Sequence, residues 1–374
     1  MNPVPIRNQA VDAYRGFVML LMMAEVLRLP LVAQAFPDSW LWQTLAYHQS
    51  HVEWVGCSLH DMIQPSFSFL VGVALPYSIA SRMAMGATLG PLFGHACWRA
   101  FVLIAMGIFL RSTHSPQTNF TFEDTLTQIG LGYPFLFLLG FRPPRWQWVA
   151  LGVILAGYWL VWALYPVAPE LGFAGHWMKA DNYGAAFDRW FMNLFPRATP
   201  YLANRGGYLT LSFIPTLGTM ILGLAAGRWL RDSAPELPLK KFLVAGVAAV
   251  AAALLLHFAG VCPIVKRIWT PSWTVFSGGL CFLFLAAFSW VIDVKGHRRW
   301  AFPLVVIGMN SIAAYLIAHL WDGFLIDSFR IHLGADFFSF TGPAMAPLWR
   351  GAAVLAVFYW VLLWMYRRKL FLKV

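Results

Sequence analysis

Ten apolar runs dominate the chain, at 11–35, 62–82, 96–111, 125–141, 146–166, 209–230, 240–259, 272–292, 302–321 and 349–366. Each is near the roughly 20 residues that a helix needs to cross a bilayer core, 96–111 being the shortest. No water reaches backbone polar groups in that core, so spanning segments must close their hydrogen bonds internally. The expected fold is an all-α integral membrane protein, a polytopic bundle of about ten transmembrane helices in a single domain over 1–374. Composition agrees: 59% of residues are hydrophobic and only 11% charged, with a mean hydropathy of +0.62, where soluble domains carry about 25% charged residues. Disorder, nucleic-acid binding and an ordinary soluble enzyme are excluded, and the lipid bilayer is the first partner. The opening segment, residues 1–16, leads into an apolar run with no small-residue cleavage site after it. It reads as a retained first span and not as a removed signal peptide.

The net charge of +11 says less than its placement, because cytoplasmic loops retain Lys and Arg. Alternating the loops from a cytoplasmic N-terminus puts 17 of the 27 basic residues inside, from Arg7 and Arg15 to Arg367, Arg368, Lys369 and Lys373. Both termini are therefore expected inside. Three outer segments are long: Phe36–His60, Val167–Tyr208 and Asp322–Leu348. The inner loops are short and basic, so chemistry belongs within the bundle or on its outer face.

Ionisable and amide groups at membrane depth are expensive and mark candidate sites. Asp12 and Arg15, three apart, fit an ion pair on one helix face. Glu25 interrupts MLLMMAEVLRL, with Arg28 at i+3 placed to neutralise it; Gln128 follows Asp124 by one turn, and Asn310 and Ser311 lie mid-run in GMNSIAAYLIAHLW. Gly223 and Gly227 have the small-residue spacing of close helix packing. The densest cluster is HQSHVEWVGCSLHDMIQP, residues 48–65. Imidazole titrates near neutrality and suits proton transfer, so His51, beside Trp54 and leading into Asp61, is a candidate base. The spacing of His48, His51, His60 and Asp61 is poor for a shared metal-ligand face, and no metal is expected. Cys57 and Cys262 both fall outside, where an oxidising compartment would let them pair.

These residues resemble the heparan-alpha-glucosaminide N-acetyltransferase family. His51-x-x-Trp54-x-Gly56 with Asp61, Pro65, Phe67, Phe69 and Gly72 carries the likeness first. Asp12-Ala13-Tyr14-Arg15-Gly16 is similar to the family's opening D-x-x-R-G, and Leu126-Thr127-Gln128-Ile129 to its L-Q-R-I, with a threonine inserted before the glutamine. Ile214-Pro215 through Gly223 and Gly227, Lys266-Arg267-Ile268-Trp269-Thr270-Pro271-Ser272, Asp293-Val294-Lys295-Gly296, Gly308-Met309-Asn310-Ser311 and the basic Arg367-Arg368-Lys369 follow in the family's order. One departure stands out: the family's first-span asparagine falls on Val26, with Glu25 immediately before it.

The resemblance implies a membrane acyltransferase that moves an acetyl group from cytosolic acetyl-CoA to an amino group or hydroxyl of a sugar or glycan acceptor on the opposite face. The family's histidine falls on His51, as general base or transient acyl carrier. Asp61 would orient its ring, and Asn310 and Gln128 are candidate oxyanion donors. Arg15, Lys266, Arg267 and Arg111 are candidates for the coenzyme A phosphates, and Glu25, Trp54, Trp269 and Ser311 complete the expected binding set. The likeness places the protein in a bacterial inner membrane with the His51 loop extracytoplasmic, and leaves room for a homodimer. The rival is a proton-coupled transporter, with Glu25, His51, Asp61 and Asn310 as a relay. A carrier would be expected to show matching halves with broken helices, and no internal repeat is visible.

Overall fold

The computed structural model describes residues 8–372; Arg7 and Lys373, counted above among the inner charges, lie outside the described residues. The α-helices in chain order are α1 (Gln9–Met23), α2 (Leu29–Ala35), α3 (Trp40–His48), α4 (Ile63–Ala84), α5 (Leu89–Ser112), α6 (Thr125–Gly140), α7 (Pro144–Ala163), α8 (Tyr183–Phe191), α9 (Phe213–Asp232), α10 (Leu239–Phe258), α11 (Pro271–Ser289), α12 (Phe302–Met309), α13 (Ser311–Leu333) and α14 (Ala346–Arg367). Short 3-10 turns fill many of the connections. Among the described residues there is no β-strand, only an antiparallel bridge between Val55 and Val265.

Among the described residues eight helices are long and apolar enough to cross a membrane, nine if the bent pair is one span. The protein is an integral membrane protein. Each of the ten apolar runs is helical, but three details differ from the sequence expectation. The first run bends by 46° where α1 gives way to α2. A 3-10 turn at Ala24–Leu27 ends with Arg28 in the left-handed region at φ 51°, and Pro30 opens the next helix. Proline lacks an N–H and cannot continue the ladder of the preceding helix. Gln49 patches the break, its amide donating to Ala24 O at 2.6 Å and accepting from Leu29 N at 2.7 Å. The run 302–321 is broken at Asn310 (φ −123°, ψ 39°) into α12 and α13. Finally, α13 continues through Asp322 to Leu333, because no proline intervenes and Gly323 is held within the helix, which ends at Gly334 with φ 94°. Much of that outer segment is therefore helix and not loop.

At the centre lies α9, most of its surface covered by neighbours, whereas α10 and α13 keep most of theirs on the periphery. Close approach at the centre depends on glycine. A Cβ on Gly223 would stand 1.9 Å from Phe69 O, and one on Gly227 would stand 2.3 Å from Val73 O. The Gly223/Gly227 spacing is thus the seam along which α4 meets α9. Gly16 and Gly308 do the same for α1 and α12, with Leu304 O at 1.7 Å and Asp12 O at 2.0 Å from the added carbons. Small residues let backbones touch where lipid supplies no hydrophobic drive for helix association.

Candidate active site

Helix ends and loops, not helix interiors, build the site. The loop before α4 carries His51, and the loop before α11 carries Lys266. The Val55–Val265 bridge and the Gly56 N–H donating to Ile264 O at 3.1 Å clip the two together. The Lys266–Ser272 motif is the bracket for this contact. Trp269 takes the left-handed region at φ 48° and donates its indole N–H to Thr219 Oγ1 at 3.3 Å. Thr270 caps α11 by accepting from Trp273 N at 3.2 Å, and its hydroxyl oxygen also accepts from Val265 N at 3.1 Å. A third loop joins through Arg267, which donates to Gly206 O at 2.6 Å and Val52 O at 3.3 Å and lies 5.3 Å from the Tyr208 ring centroid.

Asp61 is fully buried and surrounded by donors. Its Oδ2 accepts from the N–H groups of Val52 (3.2 Å) and Ser58 (3.0 Å), with Ser58 Oγ also at 3.0 Å. Its Oδ1 faces His51 Nδ1 at 2.9 Å and Lys266 Nζ at 3.3 Å, while Nδ1 and Nζ are 3.0 Å apart. One ring nitrogen cannot donate to the carboxylate and accept from the ammonium together. We assign Nδ1–H to Asp61, since the other tautomer would set the Nδ1 lone pair against a carboxylate oxygen. Lys266 then shares that carboxylate, and the free lone pair of His51 is on Nε2. Burial pushes the His51 imidazole below its ordinary value; Lys266 and His60 push the same way, and Asp61 opposes them. Burial likewise lowers the Lys266 ammonium, against the pull of Asp61. A neutral imidazole beside a buried ion pair can accept a proton near neutral pH.

His51 opens onto a cavity of about 610 Å³. Its wall also holds a second histidine–carboxylate pair, His60 Nε2 to Glu25 Oε1 at 3.0 Å, and the two imidazole rings are 4.6 Å apart. Arg28 does not neutralise Glu25: the left-handed turn swings it to Asp322 at 3.0 Å. A second cavity, of about 420 Å³, has mostly apolar walls with Arg15, Arg82 and Arg99 among its lining. The two lie at opposite ends of the same helices. Arg15, near the start of α1, faces one and Glu25, beyond its end, faces the other; α4 runs from Gln64 in the first to Arg82 in the second. Thr125 and Tyr315 line both, so the cavities meet there.

The sequence candidates are thereby sorted. His51, Glu25 and Lys266 line the first cavity, and Arg15 and Ser311 the second. Lys266, expected near coenzyme A phosphates, is instead the partner of Asp61. Arg111 also faces the first cavity, with its Nε 2.7 Å from Asp124 Oδ1. Trp54 and Arg267 hold loops, Trp54 through a bond to Trp177 O at 2.9 Å. Asn310 spends its amide on the chain's tail, donating to Leu370 O at 2.9 Å and accepting from Leu372 N at 3.2 Å. Gln128 donates to Phe122, Leu209 and Thr210 carbonyls at 2.9–3.2 Å. Neither amide lines either cavity. Asp12 and Arg15 form the expected ion pair at 3.2 Å. The four cysteines are free, Cys57 and Cys262 included. Arg82 and Arg99, which the sequence offers only as two of the 17 inner charges, line the second cavity, and Tyr315, from the quoted Asn310 segment, lines both.

Fold and site together define a polytopic helical membrane protein with a buried His51–Asp61–Lys266 cluster at the mouth of one of two abutting cavities. Heparan-alpha-glucosaminide N-acetyltransferase from Homo sapiens is 23% identical over 87% of this chain and 54% of its own length. The protein of the same name from Mus musculus is 22% identical, over 83% of this chain and 53% of its own. These matches support a family-level relationship with heparan-alpha-glucosaminide N-acetyltransferase, although no protein-family model matches the chain. The chain spans about half the length of the curated relatives it matches. Neither the transporter alternative nor a homodimer gains support from them.

Proposed function

We propose that the protein is a transmembrane acetyltransferase that takes its acetyl group from acetyl-CoA in the Arg99 cavity and delivers it to an amino-sugar or other glycan acceptor in the His51 cavity. The abutting cavities carry this reading. A donor with a long, flexible arm needs a lined passage from the face where its phosphates are held to the face where the acceptor waits. Guanidinium groups suit the phosphate end. Arg99 already donates to the Tyr133 hydroxyl at 3.0 Å and is backed by that ring, while its Nε meets no acceptor among the described residues. The apolar wall of α4 and α6 suits the arm, and Tyr315 and Thr125 mark where the thioester would enter the outer cavity. By the placement of basic residues the Arg99 end is cytosolic and the His51 end extracytoplasmic, and the family resemblance suggests a bacterial inner membrane.

At the outer end His51 acts as general base through Nε2. Asp61 fixes the tautomer and stabilises the imidazolium as it forms, which is the third-group role of a triad. Lys266 neutralises Asp61, so a carboxylate can be kept fully buried next to the base. A positioned base of this kind contributes on the order of 10²–10⁴-fold.

The test is release of coenzyme A thiol from acetyl-CoA by the purified chain in detergent, with and without glucosamine, beside His51→Ala. Acceptor-dependent release should fall on the order of 10²–10⁴-fold in the variant, with coenzyme A binding retained. Absence of both thiol release and coenzyme A binding in the native chain would sink the reading.

A further inference from the structure

One cavity holding two histidine–carboxylate pairs asks what the second is for. The pairs are unlike. Asp61 is fully buried and shared by His51, Lys266 and three further donors at the start of α4. Glu25 leaves 56% of its side chain exposed and lines the cavity, while its partner His60 is buried behind it. A carboxylate so placed accepts hydrogen bonds and attracts cations, and it donates nothing.

Resting on the acetyltransferase reading, we propose that Glu25, clamped by His60, is a catalytic residue that binds the acceptor as an ammonium ion and removes the first of its two protons, leaving the second to His51. For an acceptor bound as an ammonium ion, the proton count gives work to two stations. In R–NH3+ plus CH3CO–S–CoA giving R–NH–COCH3, HS–CoA and H+, nitrogen sheds two protons. The first departure exposes the lone pair, which forms the N–C bond; the second accompanies collapse, when the C–S bond breaks with its electron pair on sulfur. The thiolate takes one proton from the His51 imidazolium, and the other must reach solvent. Glu25 can pass it there directly through its exposed face. A hydroxyl acceptor sheds one proton, which the thiolate takes, so a single base would serve and Glu25–His60 would be superfluous.

The surroundings fit the assignment. Facing Glu25 are His60 from the start of α4, His51 and Lys266 from their loops, and His319 and Tyr315 from α13. Lys266 is held to Asp61, and Arg28, the nearest cation in sequence, is turned to Asp322. Glu25 is thereby left available to an incoming cation.

The experiment compares two acceptors with the full chain in detergent: glucosamine, an ammonium ion at neutral pH, and a 4-aminophenyl glucoside, whose aryl amine is already neutral. Glu25→Gln should lower kcat/KM for glucosamine on the order of 10²-fold at neutral pH, with the loss shrinking as pH rises and free amine appears. Transfer to the aryl amine should fall far less than transfer to glucosamine, and Glu25→Asp should recover part of the glucosamine rate. His60→Gln, which unclamps the carboxylate, should give the same acceptor-selective loss and serves if Glu25→Gln does not fold. Equal losses for both acceptors, or none, would overturn the role of Glu25 while leaving the acetyltransferase standing. Failure of the native chain to transfer to either amine would bring down both.

Discussion

The two cavities are cut from the same helices by different means. Around His51, every critical side chain comes from a loop or a helix end, and backbone N–H groups do much of the holding: Val52, Ser58 and the Val55–Val265 bridge fix the geometry before any ligand arrives. Around Arg99, the lining is helix wall, with apolar faces of α4, α5 and α6 and guanidinium groups on long, adaptable stems. Proton transfer needs groups fixed within hydrogen-bond reach, whereas retaining a long flexible ligand needs length, apolar surface and a charged anchor. On the proposed function, chemistry falls to the hydrogen-bonded loops and retention to the helices.

That contrast can be broken from the outer side first. Asp61→Asn leaves Lys266 buried at 4% exposure without its counter-charge; losing one partner of a buried pair costs about 3–5 kcal/mol. A marked fall in thermal stability in detergent is expected, and adding Lys266→Met should recover part of it. Equal stability of Asp61→Asn and native protein would show that the pair is not the keystone of the loops. On the inner side, Arg82→Ala with Arg99→Ala should raise KM for acetyl-CoA about tenfold for each guanidinium–phosphate bond removed, with kcat little changed because the interactions are made equally in ground and transition states. A fall in kcat at constant KM would place these residues in the chemistry instead. The smallest effect concerns pH. Since His51 must be neutral to accept a proton and its imidazole is held below the ordinary value, kcat/KM should stay high as pH falls and drop only through that lowered value. Lys266→Met removes a neighbouring cation, raises the imidazole pKa and should move the acid limb to higher pH. An unmoved limb would mean that Lys266 does not tune the base.

Much of the fold could be read from hydropathy because lipid leaves the backbone so few choices. The breaks were harder. Arg28 and Asn310 interrupt runs whose apolar character continues past them, so periodicity carries no trace of a left-handed residue or of an amide captured by the tail 60 residues later. His51 and Asp61 stood out because they share one short loop. Glu25–His60 did not: the i+3 spacing favours Arg28, and only the 3-10 turn redirects it. Polar residues within apolar runs were read as chemistry, yet Gln128 and Asn310 serve backbone carbonyls and an N–H group of the neighbouring loops and of the tail. Sequence alone cannot separate these uses, since both bury an amide at membrane depth.

The Val55–Val265 bridge also bears on how the protein is made. His51 and Asp61 emerge early from the ribosome, but Lys266 and its bracket follow only after six further apolar runs have been synthesised. Until then Asp61 is a carboxylate without its cation, in a loop that has nothing to clip to. The His51–Asp61–Lys266 cluster is therefore incomplete through most of the chain's synthesis, and it is finished by a late-arriving loop closing on an early one.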